Sequence, residues 1–138
     1  TKHFISICGE HLSQENMNRA MELLQEELDI EIKEFTVAGV SHGSLFAHQW
    51  YIGTDDLLDG DKAANIIDKH LKNLNDDYRV ERMEAIKDVC VTVLPSQVFY
   101  DYMKESGKEG SANKFPRVLK NSRIEEWQSY LKKHSLIS

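Results

Sequence analysis

The sequence is short of most things that mark specialised proteins. In 138 residues there are two cysteines, Cys8 and Cys90, too few for a disulfide scaffold, and a reducing cytoplasm is the default expectation. Two prolines and seven glycines leave no room for a collagen-like repeat or a long flexible linker. No run approaches the roughly 18 consecutive apolar residues that a membrane span needs, so no membrane partner is expected. Positive charge is also scarce, 17 Lys and Arg against 23 Asp and Glu for a net charge of −6. Nucleic acid is therefore a poor partner, because its binders displace counterions with a cationic surface.

What remains is an ordinary globular composition, 41% hydrophobic and 29% charged. The length suits a single domain spanning residues 1–138. A chain of this size buries about two-thirds of its extended surface, enough for a core unaided by metal or disulfide. The sequence opens Thr1-Lys2-His3 with no Met before an apolar run, which reads as a piece of something longer.

Phe4 to Cys8 reads as a buried strand ended by Gly9. Ser13 is placed as an N-cap, and Met17, Ala20, Met21, Leu24 and Leu28 form one stripe of a helix. Ile30 and Ile32, then Phe35 and Val37, alternate on opposite parities, which predicts a bulge or two separate pieces. Gly39 to Gly43 supplies turn chemistry, so the following strand, Leu45 to Ile52, makes a hairpin. A second helix carries Ala63, Ile67, Leu71, Leu74 and Tyr78 inward. Val89, Val91 and Val93 make a last strand before Pro95. Ser96 is expected to cap a helix bearing Phe99, Tyr102 and Met103, and Ser122 with Glu125 forms a capping box for a terminal helix on Ile124, Trp127 and Leu131. This predicts an α+β fold: a mixed sheet of about four strands in ferredoxin-like βαββαβ order plus C-terminal helices, with the helices mostly on one face.

Familiar chemistry is thin. Six histidines show no ligand spacing, and the acidic loop Asp55, Asp56, Asp59, Asp61 lacks the acidic third and twelfth positions of a calcium loop, so no metal site is expected. His42-Gly43-Ser44-Leu45 lacks the second glycine of a nucleophile elbow. Cys8 and Cys90 read as inert core or as facing neighbours, and His48 as a structural strand residue. The segment Gly107–Lys120 differs: Lys108, Lys114, Arg117 and Lys120 stand among glycines and Pro116 in an acidic chain. Such a loop suits a phosphate or carboxylate; a solvated basic loop is the ordinary alternative.

Residues 1–13, Thr-Lys-His-Phe-Ile-Ser-Ile-Cys-Gly-Glu-His-Leu-Ser, resemble the opening of the C-terminal domain of adenylate-forming enzymes. Leu74-Asn75-Asp76-Asp77-Tyr78-Arg79, Pro95 to Met103 and Asn113-Lys114-Phe115-Pro116-Arg117 narrow the resemblance to the Gretchen Hagen acyl acid amido synthetases of bacterial type. The run Gly110-Ser111-Ala112-Asn113 departs from the glycine- and glutamine-rich segment expected there.

The resemblance implies a mobile lid domain of a two-domain ligase that is inactive alone. Its N-terminal partner domain, absent here, would hold ATP and Mg2+. The whole enzyme, a cytoplasmic monomer, would join an acyl acid to an amino acid through an acyl-adenylate. Lys114 and Arg117 would be the lid's catalytic cations, and Lys2 would contact the nucleotide near the hinge. Glu10 would hold a strand–helix turn, and Tyr78 and Arg79 would pack and salt-bridge at a helix end. The competing reading is a free-standing ferredoxin-like binding module.

Overall fold

The computed structural model describes residues 4–5, 12–42, 45–84, 86–105, 115, 117–119 and 122–137. Two short strands, β1 (Phe4–Ile5) and β2 (Leu12–Ser13), pair antiparallel apart from the main sheet. Helix α1 (Gln14–Leu28) follows at once. Ser13 caps it as expected: its hydroxyl accepts from Asn16 N at 3.0 Å, and Asn16 Oδ1 accepts from Ser13 N at 3.4 Å. The helix ends at Asp29 in the left-handed region (φ 54°, ψ 52°), which Asp tolerates better than most residues.

The expected hairpin is β3 (Glu34–His42) against β4 (Leu45–Gly53), in register from Glu34↔Gly53 to His42↔Leu45. Gly39, expected in the turn, is a strand residue opposite His48 inside the ladder. The parity switch resolves as two pieces: Ile30 to Lys33 is irregular chain, and the strand starts at Glu34. Helix α2 (Gly60–Leu74) is capped by Asp59, and α3 (Asp76–Glu84) is a separate helix. β5 (Ile86–Leu94), α4 (Ser96–Glu105), β6 (Val118–Leu119) and α5 (Ser122–Lys133) complete the chain.

The α+β class and the four-stranded mixed sheet are as expected, with strand order β5-β4-β3-β6. β4 runs antiparallel to β3 and parallel to β5, while β6 is parallel to β3. Other particulars differ from expectation. The opening strand, expected within a ferredoxin-like βαββαβ sheet, pairs with β2 outside the main sheet. β5 is not the last strand, because β6 takes the edge beside β3. Tyr78 belongs to α3, and Leu74, counted as inward-facing, is 38% exposed at the end of α2. Helices cover both faces, because β3, β4 and β5 bury both parities.

Phe35, Val37, Trp50, Ile52 and Val89 pack under α1 and α2 against Met17, Met21, Leu24, Ile67 and Leu71. Ala38, Tyr51 and Leu94 point the other way, onto Phe99, Met103, Trp127 and Leu131 of α4 and α5. Gly53 allows that second layer to close: a Cβ there would lie 2.7 Å from Phe99 Cε1 and 3.3 Å from Ser96 Cα.

Candidate end of the sheet and the segment that enters it

β3 and β6 begin where β4 and β5 finish, and the ion pairs Lys33–Asp55 and Arg117–Glu34 lie at this end. The acidic loop after β4 is committed to shaping it. Asp55 accepts from Ser96 Oγ at 3.0 Å and pairs with Lys33 Nζ at 3.3 Å. The Ser96 hydroxyl, with Lys33, holds its carboxyl below the ordinary range, and Asp55 raises Lys33 in turn. Asp56 Oδ2 accepts from Glu31 N at 2.8 Å, and Asp59 Oδ1 from Asp61 N at 2.9 Å. Thr54, buried under this loop, donates its hydroxyl to Glu31 O at 2.6 Å. Among the described residues no three His, Cys, Asp or Glu side chains stand together as metal ligands.

The Lys-x-Pro-Arg segment enters the sheet at this same end, and its described residues are held firmly. Phe115 is 3% exposed, its ring 4.9 Å from that of Phe99 and 4.8 Å from that of Trp127. Arg117 O accepts from Val37 N at 3.0 Å, which places the segment on β3. The Arg117 guanidinium lies 4.4 Å over the Phe35 ring. Its Nη1 donates to Glu34 Oε1 at 2.9 Å and to Phe35 O at 3.1 Å. Lys2 and Lys114, the other predicted cations, lie outside the described residues, as do Lys108, Lys120, Glu10, Cys8 and Ser44.

Glu34, Phe35 and Phe115 were not singled out from sequence. Phe115 carried a signal, being an apolar ring inside a basic segment. Glu34 carried none, because it lies 83 positions from its partner.

The Asn75–Arg79 motif has a local explanation. Asn75 separates α2 from α3: its Oδ1 accepts from Tyr78 N at 2.8 Å and its Nδ2 donates to Asn16 Oδ1 at 2.9 Å. Tyr78, fully buried, donates its hydroxyl to Asp68 Oδ1 at 2.8 Å, and Arg82 and Lys72 also meet Asp68. Arg79 pairs with Asp76 in solvent at 2.7 Å. His48 is buried on β4, its ring 5.7 Å from that of Tyr78.

Cys90, read as core, is instead exposed on β5. Partial burial of its sulfur and the neighbouring Asp88 push the thiol pKa up, away from nucleophilic reactivity. A groove of about 340 Å³ between α4 and α5 is lined by Tyr102, Glu105, Glu126, Ser129, Tyr130 and Lys133. Burial, and then the Glu126 carboxylate, raise the Tyr102 phenol.

The structure defines a class first: a mixed four-stranded sheet between two helical layers, with a basic segment pinned by a buried ring and an ion pair as it enters the edge strand. The model of the GH3 family C-terminal domain matches residues 15–123. The chain belongs to the GH3 family and is its C-terminal domain. Among solved structures it is similar to a GH3.15 acyl acid amido synthetase, with TM-score 0.71, 21% identity, and coverage of 96% of this chain and 24% of that one. It is likewise similar to the AtGH3.15 acyl acid amido synthetase in complex with 2,4-DB, with TM-score 0.69, 20% identity, and coverage of 96% and 26%. At these identities the likeness is one of fold, and the chain spans about a quarter of those proteins' length. No curated protein sequence matches it. No helix among the described residues is long and apolar enough to cross a membrane.

Proposed function

We propose that this chain is the lid domain of a longer, cytoplasmic and monomeric ATP-dependent ligase that joins an acyl acid to an amino acid through an acyl-adenylate. The observation that carries this reading is the family match over residues 15–123, which takes in the whole Lys-x-Pro-Arg segment. The two solved relatives are acyl acid amido synthetases, which suggests the reaction class.

In this reading ATP, Mg2+ and the acid are held by the remaining, N-terminal part of the protein. The present chain does not turn over alone. Its task is to close over the reacting centre, exclude water from a hydrolysable intermediate and bring positive charge to the departing phosphate. Lys114 supplies that charge as pyrophosphate leaves, and Lys2, next to the hinge, meets the nucleotide in one lid orientation. Arg117 shares the same motif, and its guanidinium is already engaged by Glu34.

The test is made on the full-length protein. Lys114→Ala is expected to slow acid-dependent ATP–pyrophosphate exchange at least about tenfold, equal to about 1.4 kcal/mol of barrier. Exchange at the wild-type rate would remove Lys114 from the chemistry. A full-length protein without acid-dependent exchange would refute the ligase reading.

A further inference from the structure

Arg117 belongs to the basic motif, yet its surroundings are those of a group being held in place. Three contacts use its guanidinium: Glu34 Oε1 at 2.9 Å, Phe35 O at 3.1 Å and the Phe35 ring at 4.4 Å. The pair is largely withdrawn from water, with side chains 22% exposed at Arg117 and 15% at Glu34. A cation whose task is to swing onto a phosphate would have to leave all three partners and strand a carboxylate in a poorly solvated place.

The backbone here is tied in parallel. Arg117 O accepts from Val37 N at 3.0 Å, and Val118 and Leu119 register with Val37 and Ala38. β6 has two residues, so the ladder alone offers little grip. The side-chain clamp supplies what so short a strand lacks.

We infer that Glu34 is a positioning residue for the Lys-x-Pro-Arg motif: its carboxylate, with the Phe35 carbonyl and ring, locks Arg117 so that Arg117 is the motif's fixed end and not a cation in contact with phosphate. The inference rests on the ligase reading for its consequence in catalysis, but the clamp itself can be tested without it. Lys at position 117 would keep the charge, but its point-like ammonium lacks the planar fork that meets Glu34 and Phe35 O while lying on a ring.

The experiment compares Glu34→Gln, Arg117→Lys, Arg117→Gln and the double variant Glu34→Gln/Arg117→Lys in the full-length protein. Amide formation is measured together with hydrogen exchange at the Val37 amide. Glu34→Gln and Arg117→Lys are each expected to lower kcat about tenfold with KM for ATP little changed, since a small displacement of a positioned group costs that much. The double variant should be no slower than the slower single, because the two residues act as a unit. Val37 exchange should quicken in both singles.

Glu34→Gln at the wild-type rate, or Arg117→Lys restoring what Arg117→Gln loses, would assign Arg117 to direct charge stabilisation and overturn the inference. If Glu34→Gln does not fold, Glu34→Asp takes its place; the shorter acid keeps the charge but not the reach, and a wild-type kcat there would equally overturn it. Should the wild-type protein lack ligase activity, the Val37 amide still decides. Faster exchange in both singles upholds the clamp, and unchanged exchange overturns it.

Discussion

The two faces of the sheet are covered in different ways. Under α1 and α2 the helices supply aliphatic and methionine side chains, Met17, Ala20, Met21 and Leu24 on one and Ala63, Ile67 and Leu71 on the next, over Phe35 and Trp50 of the sheet. Under α4 and α5 the helices themselves bring rings: Phe99 and Trp127 meet Tyr51 and Phe115 mostly edge to face, with Tyr102 and Tyr130 beside them. The aliphatic helices each bring a continuous stripe. The aromatic layer is gathered from β4, α4, a single residue before β6, and α5. The segment with the candidate chemistry is anchored on this second, assembled layer, so its position depends on contacts from several distant parts of the chain. Edge-to-face ring pairs add about 0.5–1.5 kcal/mol each beyond burial, and they hold specific angles as well as area.

The largest effect that would break the comparison comes from the aromatic side. Trp127→Ala is expected to cost about 3–5 kcal/mol in chemical denaturation. Trp127 is fully buried and touches Tyr51, Phe99, Tyr102 and Phe115, so hydrogen exchange should quicken at α4, α5 and β6 while the β3–β4 ladder stays protected. Equal loss of protection on both faces would mean that the two layers unfold as one.

Gly53→Ala is the intermediate case. The added methyl would fall within 2.8 Å of Phe99 Cδ1, and Phe99 is confined by Phe115 and Trp127. Overpacking of this kind costs about 1–3 kcal/mol. The shift should appear in near-ultraviolet circular dichroism, which reports ring packing, before it appears in helix content. A Gly53→Ala protein as stable as wild type would show that α4 can slide.

The smallest effect concerns the tie between the layers. Asp55, on the loop from β4 to α2, reaches Ser96 at the start of α4. Its folded pKa lies below the ordinary 3.8, so its contribution is present above that value and is lost as pH falls through the folded pKa. Asp55→Asn should therefore lower stability slightly at neutral pH and flatten the acid limb below about pH 4, read from unfolding midpoints. An acid limb identical to wild type would show that this exposed contact contributes nothing measurable.

Much of the fold could be read locally. The Ser13 cap, the stripe on α1, the β3–β4 hairpin and the alternation of Val89 and Val91 are each written within about twenty neighbouring positions, close to the range over which periodicity acts. The errors are equally physical. Buried alternation on one parity and buried alternation on both look alike when Ala, Thr and Tyr occupy the second parity, and this hid the second helical layer. Cys90 sits among valines and so resembles core, but Val89 is buried and Val91 half-buried against the α1–α2 layer, and the alternation leaves Cys90 outward. β6 escaped notice because two residues carry no period.

The site divides in the same way. The basic residues of the Lys114–Arg117 segment and their resemblance to a family motif were visible in the sequence. That Arg117 is held by Glu34 and Phe35 was not, since nothing local links positions 83 and 82 residues apart. By itself the sequence determined the class, the longer helices and strands and the place of the motif, because caps, stripes and turn chemistry act between near neighbours. The tertiary structure alone decided which face covers which and what holds Arg117. Those outcomes depend on side chains that meet only after the sheet has closed and water has been excluded from between its layers.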